Sequence, residues 1–544
     1  MIWAQVQMRD FCSKRHLFQS CVIPDVMIPH RLPMQRRFTV LLILAGLAWL
    51  SFMLYYTRFA MLDDALIHLR YATFLHRLHF ITFDGVHHSF GTSSLLYVTM
   101  LAVLCGVTSS VMLAKIVSVI FYCGMVGLIG WQLRSVQTGS MGRRLFGGLL
   151  FIMLSAMSIR WLTDGMETSL VAFAVLLLSI LTDTEMRRPA TGIGRGALLV
   201  LFGFFVTILR VELASLLFLA CVAILATRMG EQQSSPRRIG PLAGSICLGS
   251  GSMIAMAAVY LHFGTLLPDT ALAKSGGHPS LLPVQGMAHV IASSFLLGFG
   301  ALLLWLVSAL SLLTALLQRQ CRTASLVAFA ACNGSFPIVV MLACLSSQTI
   351  EGIRHILWAL LFSVFLNTLQ LARVPFTAFG WYRRALVACG IIFILLMPID
   401  LYYGVRAMRG RAQTFTQMRD TDLSRFEGKT IIAGDVGFIG YFSQGVICDI
   451  NGLVNGRTAA RQTLAQRVQN CLQSHPAMVF ATREQAIKVN EILPLTLWTA
   501  CRPFDFVNTS SNDRHYVFVS DPAACVAMGP PYSAAGMVLS GLRP

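Results

Sequence analysis

Long apolar stretches alternate with short polar, arginine-bearing ones from Phe38 to about Tyr403. A helix needs about 20 apolar residues to cross roughly 30 Å of hydrocarbon. The pattern predicts eleven spans, at 38–60, 111–133, 145–162, 167–184, 194–209, 211–228, 242–262, 292–316, 323–345, 355–372 and 385–404. The stretch 94–108 is apolar but short, and counting it as a span would reverse the side of the Arg143-Arg144 loop. It reads as a re-entrant or juxtamembrane helix. Beyond about Arg406 the pattern becomes that of a small α/β domain, 405–544, with strands alternating with helices. "KTIIAGDVGFIGYF" and "GVICDINGLV" read as strand–turn elements, 458–473 as a helix, and "PAMVFAT" and "RHYVFVS" as strands.

Composition agrees with a polytopic α-helical membrane protein. Hydrophobic residues make up 56% and charged residues 12% of the 544, against about 25% charged in soluble chains. The net charge of +18 comes from short clusters between apolar runs: Arg36-Arg37, Arg143-Arg144, Arg187-Arg188, Arg237-Arg238, Arg319 with Arg322, and Arg383-Arg384. Cytoplasmic loops show this positive bias, so the basicity does not point to nucleic acid. Residues 1–37 then form a cytoplasmic N-terminal extension ahead of a signal anchor, since the first apolar run is long and no small-residue cleavage site follows it. The C-terminal domain falls on the periplasmic side.

Of the 14 cysteines, four (Cys448, Cys471, Cys501 and Cys525) lie in that domain. A periplasmic setting allows up to two disulfides among them, with connectivity open.

On this topology Asp63, Asp64, Asp164, Glu167, Asp269, Lys274, Glu351 and Arg354 all fall on the outer side. Ionisable residues at membrane depth are costly and usually serve a site. Adjacent carboxylates repel, so Asp63-Asp64 can supply a general base, a ligand for a divalent cation (Mg²⁺ or Mn²⁺), or both. A third reading stays open, in which one aspartate caps the helix "ALIHLRYATFLHRL". His68, His76, His79, His87 and His88 follow no tight zinc template.

The segment "LDDALIHLRYATFLHRLHFITFDGVHHSFGTSSLLYVTMLAVL" resembles the first outer loop of GT-C-fold glycosyltransferases, in particular the polyprenyl-phosphate-dependent enzymes similar to mycobacterial terminal arabinofuranosyltransferases. The resemblance rests on Asp63, Asp64, Ala65, Ile67, Arg70, Tyr71, Ala72, Asp84, Gly85, Gly91, Thr92, Ser93 and Ser94. It continues in order through "DGMETSL", "ILRVELA", "HFGTLLPDTALAKSG", "GIRHILW" and "GDVGFIGYFSQGVICDINGLV". Val211 and Asp269 depart from the family's proline and asparagine, Leu66 from its common aromatic, and His355 from its tyrosine. These changes leave the sugar open.

The resemblance implies an inverting transferase with a polyprenyl-phosphate sugar donor and a cell-envelope acceptor, seated in the bacterial inner membrane. Asp63 or Asp64 would be the base that deprotonates the acceptor hydroxyl. Arg70, Lys274 and Arg354 would meet the departing phosphate, arginine giving bidentate contact. Asp164 and Glu167 would face the donor sugar, and His87, His88 and Asp435 are candidates for acceptor contact. A transporter or flippase of lipid-linked sugars is the rival from another class. It predicts broken helices with charges in mid-span, whereas the charges here gather in outer loops.

Overall fold

The structure is a computed structural model, and it describes residues 32–108, 111–136, 141–187, 192–229, 240–274, 288, 291–292, 294–318, 326–346, 353–374, 380–507 and 512–528. Glu351 and several of the basic pairs lie outside the described residues. The chain divides into two compact units, Met1–Phe52 and Met53–Pro544. The described part of the first unit is the start of helix α1, Leu32–Tyr56.

In the second unit come α2 (Asp63–Leu78), α3 (Leu95–Cys105), α4 (Leu113–Ser135), α5 (Met141–Met153), α6 (Ala156–Leu162) and α7 (Thr168–Arg187). They are followed by α8 (Ile193–Leu209), α9 (Leu213–Met229), α10 (Gly240–Phe263) and the short α11 (Asp269–Lys274). A π-helical turn at Leu296–Gly300 leads into α12 (Ala301–Leu317), and α13 (Leu326–Ser346), α14 (Arg354–Leu371) and α15 (Gly380–Asp420) complete the helical part.

Helices occupy all eleven expected segments, yet among the described residues only five are long and apolar enough to cross a membrane, or six if the bent pair α5–α6 is one span. Length alone separates some of the shorter helices from these. At 1.5 Å per residue, α8 with its 17 residues is about 25 Å long. The 11-residue α3 reaches about 16 Å, half of a hydrocarbon core. The axes of α5 and α6 meet at 70°, and Ser155 caps the restart by accepting from Ser158 N–H. The chain thus belongs to the polytopic helical class, with five or six helices among the described residues that could cross a membrane.

Packing between helices uses small and polar side chains, as expected where apolar lipid removes the hydrophobic drive. A Cβ at Gly203 would strike the Leu248 carbonyl, and one at Gly251 the Val200 carbonyl, so glycine lets α8 and α10 touch. Thr207 Oγ1 donates to Ser252 Oγ across the same contact at 2.8 Å. Asn333 and Asn367 exchange amide hydrogen bonds at 2.9 and 3.2 Å between α13 and α14.

The last apolar segment does not stop near residue 404. It continues as one 41-residue helix to Asp420, which leads into the C-terminal α/β domain. That domain holds β1 (Thr430–Ala433), α16 (Val436–Ser443), β2 (Val446–Asp449), α17 (Gly456–Arg461), α18 (Leu464–Leu472), β3 (Met478–Thr482), α19 (Arg483–Asn490), β4 (Thr499–Val507) and β5 (Asn512–Val519). The sheet order is β2-β1-β3-β5-β4, parallel across β2-β1-β3 and antiparallel across β3-β5-β4. The helix expected at 458–473 is two helices, because Thr463 starts α18 with a capping box that uses Gln466. Ile432, Ile450, Val468, Val479 and Phe518 fill the core on one face. Two disulfides, Cys448–Cys471 and Cys501–Cys525, staple it.

Candidate functional site

The motif "MLDDALIHLR" forms the start of α2, and its two aspartates do different work. Neither caps its own helix, since Leu62 holds the N-cap position without a side-chain hydrogen bond and both aspartates sit in the first turn. Consecutive residues point about 100° apart on a helix. Asp63 therefore faces the C-terminal domain, where its carboxylate accepts the N–H groups of Gly437 at 2.9 Å and Phe438 at 2.6 Å. These are orphan donors in the first turn of α16, at the positive end of that helix. Burial pushes the Asp63 carboxyl well above its ordinary value, with Asp435 and Asp64 adding repulsion against the pull of the two N–H groups.

Seven residues on, and on the same face of α2, Arg70 meets the other end of α16. Its guanidinium donates to Phe83 O at 2.7 Å, to Gly445 O at 2.6 Å and closely to Gly440 O. Seven residues advance about 10.5 Å along a helix, close to the length of the 8-residue α16. The two helices lie side by side with a carboxylate at one end and a guanidinium at the other. This corrects the expectation for Arg70. It is 3% exposed and committed to three carbonyls, so it clamps the C-terminal domain and is not placed to receive a phosphate.

Asp64 turns instead to the membrane part. Its Oδ2 pairs with Arg354 Nη2, at the start of α14, at 2.6 Å. The Asp64 side chain is 38% exposed and that of Arg354 10%, so this carboxylate is the accessible one of the pair. Because Asp63 is bound to amides and Asp64 to a guanidinium, the two oxygens sets do not converge on a shared cation. Among the described residues no group of three or more His, Cys, Asp or Glu side chains stands at metal-binding spacing. The donor set does not fit the divalent ion that the adjacent pair suggests.

The second acidic motif lies beneath. Gly165, at φ 91°, makes the turn after α6 and comes against Ala65 of α2. Asp164, fully buried, accepts from Met166 N–H at 3.2 Å and from Arg411 Nη1 at 3.4 Å. Burial raises its carboxyl, opposed by Arg411, Arg354 and Lys115. Glu167 Oε2 stands 3.1 Å from His68 Nε2, and its Oε1 stands 3.7 Å from Arg210 Nη1. Ser93 Oγ donates to Glu167 Oε1 at 3.3 Å, and Thr92 Oγ1 meets His68 Nδ1 at 2.9 Å. The "GTSS" stretch thus orients the His68–Glu167 pair. Burial acts to raise the Glu167 carboxyl, but His68, Arg210 and Arg354 outweigh it and hold it well below the ordinary range.

Three further cations stand around Asp164, and sequence reading did not single them out. Lys115 Nζ donates to Ala60 O at 3.0 Å and Thr163 Oγ1 at 3.4 Å. Arg160 and Arg411 place their guanidinium carbons 4.5 and 5.0 Å from the centre of the same Trp161 ring. All three are buried. Asp164 thus stands among three buried basic side chains, and Arg354 acts on it as well as on Asp64 and Glu167.

Other expected residues lie apart from this cluster. His87, exposed, pairs with Asp84 at 2.8 Å inside its own turn, and His88 packs on Phe80 with ring centres 4.7 Å apart. Both contacts belong to the first loop and hold it in shape. Asp435 contacts His515 Nε2 of β5 beside the Asp63 cap. Asp269 ties its loop to the first one, accepting Phe90 N–H at 2.9 Å and donating its own to Phe90 O at 2.7 Å. Lys274 ends α11, and its side chain lies outside the described residues. Arg210 also pairs with Glu212 at 2.8 Å.

The family described as "Domain of unknown function (DUF8728)" matches residues 407–525. No curated protein matches the chain. Among solved structures, ArnT from Cupriavidus metallidurans bound to undecaprenyl phosphate superposes with a TM-score of 0.53 at 11% identity, over 90% of this chain and 98% of that one. The same protein in its apo state gives 0.53 at 12% identity, over 90% and 99%. Identity this low speaks to the fold alone, and the fold is that of a polytopic helical membrane protein of the GT-C-like type.

Proposed function

We propose that the protein is an inverting glycosyltransferase acting on the periplasmic face of the bacterial inner membrane. It moves a sugar, arabinofuranose or another pentose or hexose, from a polyprenyl-phosphate donor to a cell-envelope glycan, lipid or protein acceptor. The observation that carries this reading is the division of labour at the aspartate pair. Asp64 is the accessible carboxylate, held by Arg354 at 2.6 Å above the buried Asp164, Lys115, Arg160 and Arg411. The ArnT structure with undecaprenyl phosphate supplies the chemistry of the leaving group.

In the step itself, Asp64 takes the proton of the acceptor hydroxyl as that oxygen bonds to the anomeric carbon. The bond from that carbon to the phosphate oxygen breaks on the opposite face, and polyprenyl phosphate departs. Phosphate is a good leaving group, so no general acid is required. Arg354, with Lys274 as a further candidate, neutralises the charge that develops on it. The accessible carboxylate of Asp64 also stabilises the oxocarbenium character of the transition state, while Asp164 and Glu167, buried and paired with Arg411 and with His68 and Arg210, hold the cluster beneath it. The C-terminal domain, docked by Asp63 and Arg70, covers the site from the periplasmic side and binds acceptor.

The test is Asp64→Asn in cells, with membrane protein level checked against wild type and envelope glycans profiled. Loss of one glycan species supports the reading. An unchanged profile at normal protein level removes Asp64 as the base.

A further inference from the structure

A cavity of about 600 Å³ opens between α5, α12 and α15, and the proposed reaction does not use it. Its lining runs Arg144, Gly148, Phe151 along α5 and from Arg383 to Ile394 along α15, with Leu304 of α12 on the third side. Phe151 and Phe393 stack with ring centres 6.2 Å apart and planes at 4°. Each lies C-terminal to its arginine, so the two helices run in the same direction with both arginines at one end and both aromatics at the other. Glycine makes the room. A Cβ at Gly390 would meet nothing within 4 Å, whereas one at Gly148 would already touch Leu304 at 3.3 Å.

This cavity stands far from the candidate site. Arg383 precedes Arg411 by 28 residues on α15, about 42 Å of helix, and the intervening stretch from Ala385 to Val405 carries one charge, Asp400. The arginines therefore mark the opposite membrane face, where positive-inside bias places the cytoplasm. From Arg383 to Ile394 the cavity follows 11 residues of helix, about 16 Å, which is about one leaflet of hydrocarbon. Basic residues at the mouth of an apolar pocket on the cytoplasmic side fit a lipid phosphate above and its tail below.

We propose that this cavity binds an anionic glycerophospholipid of the cytoplasmic leaflet, its phosphate at Arg144 and Arg383 and one acyl chain along Val387, Gly390 and Phe393. The site is distinct from the one that the proposed donor would occupy. A polyprenyl tail exceeds one leaflet and is disfavoured by the cavity's depth.

The experiment is native mass spectrometry of delipidated full-length protein in detergent, titrated separately with phosphatidylglycerol, phosphatidylcholine and undecaprenyl phosphate. One phosphatidylglycerol should bind at least about tenfold more tightly than phosphatidylcholine, given roughly a fivefold gain per basic residue near an anionic headgroup. Arg144→Gln with Arg383→Gln should cost about thirtyfold by the same reasoning. Gly390→Leu, which enters open space, should abolish binding with the melting temperature unchanged. Equal affinity for the two phospholipids, wild-type binding by the double variant, or displacement of phosphatidylglycerol by an equal concentration of undecaprenyl phosphate would each overturn the proposal.

Discussion

The clamp between α2 and α16 makes a quantitative demand on Arg70. Its guanidinium is buried and gives hydrogen bonds to Phe83 O, Gly440 O and Gly445 O. Hydrogen bonds from a charged group contribute about 1.5–3 kcal/mol each. The three share one side chain and will not add in full, so Arg70→Met should weaken docking by about 3–5 kcal/mol, less than their simple sum. Asp63→Asn keeps an oxygen to accept from Gly437 or Phe438 but removes the charge at the start of α16, which is a cap-and-dipole effect of about 1 kcal/mol. Hydrogen–deuterium exchange of peptides covering 436–445 reads both. At about 1.4 kcal/mol per tenfold, protection should fall roughly a hundredfold to a few thousandfold in Arg70→Met and about fivefold in Asp63→Asn. Protection within threefold of wild type in Arg70→Met, or a larger loss in Asp63→Asn, would refute the clamp.

Two further outcomes follow from the C-terminal domain. Burial raises the Asp449 carboxyl to about 6, against the N–H groups of Asn451, Val454 and Leu453. The folded chain then holds a proton that the unfolded chain releases, so stability falls as pH rises from about 4 to about 6, by roughly 3 kcal/mol at most, and is level above that. Asp449→Asn should flatten this segment of a denaturation-versus-pH curve, and an unchanged slope would count against the assignment. Each disulfide closes a loop of 23 or 24 residues, for which chain entropy gives about 3 kcal/mol. Reductant should therefore sharply raise protease sensitivity of 430–528, and non-reducing peptide maps should link Cys448 to Cys471 and Cys501 to Cys525.

Much of the helical layout was legible because lipid imposes long apolar runs, and the loop that carries Asp63 and Asp64 stood out because acidic residues are scarce in such a chain. What pattern could not give was direction. Asp63 and Asp64 are adjacent, and only the helix geometry of α2 sends one to the amides of α16 and the other to Arg354. Arg70 looked like a phosphate ligand because its three carbonyl partners come from Phe83 and from residues some 370 positions away. Arg411 was missed because α15 continues past the apolar run, carrying a basic residue back to Asp164. Strand β4 was missed too. Its "TACRPFDFV" holds a proline and charges, and its pairing with β5 shifts register between Cys501 and Phe504, which hides the alternation a strand usually shows.

The central claim is that Asp64, and not its neighbour, takes the acceptor proton. The direct measurement is single-turnover consumption of a polyprenyl-phosphate sugar by purified wild type, Asp63→Asn and Asp64→Asn with acceptor present. Removing a general base costs about 10²–10⁴ in rate. Asp64→Asn should lose at least about a hundredfold, while Asp63→Asn keeps turnover within about tenfold and shows loosened exchange at 436–445. Equal losses in the two variants, or the larger loss in Asp63→Asn, would contradict the account.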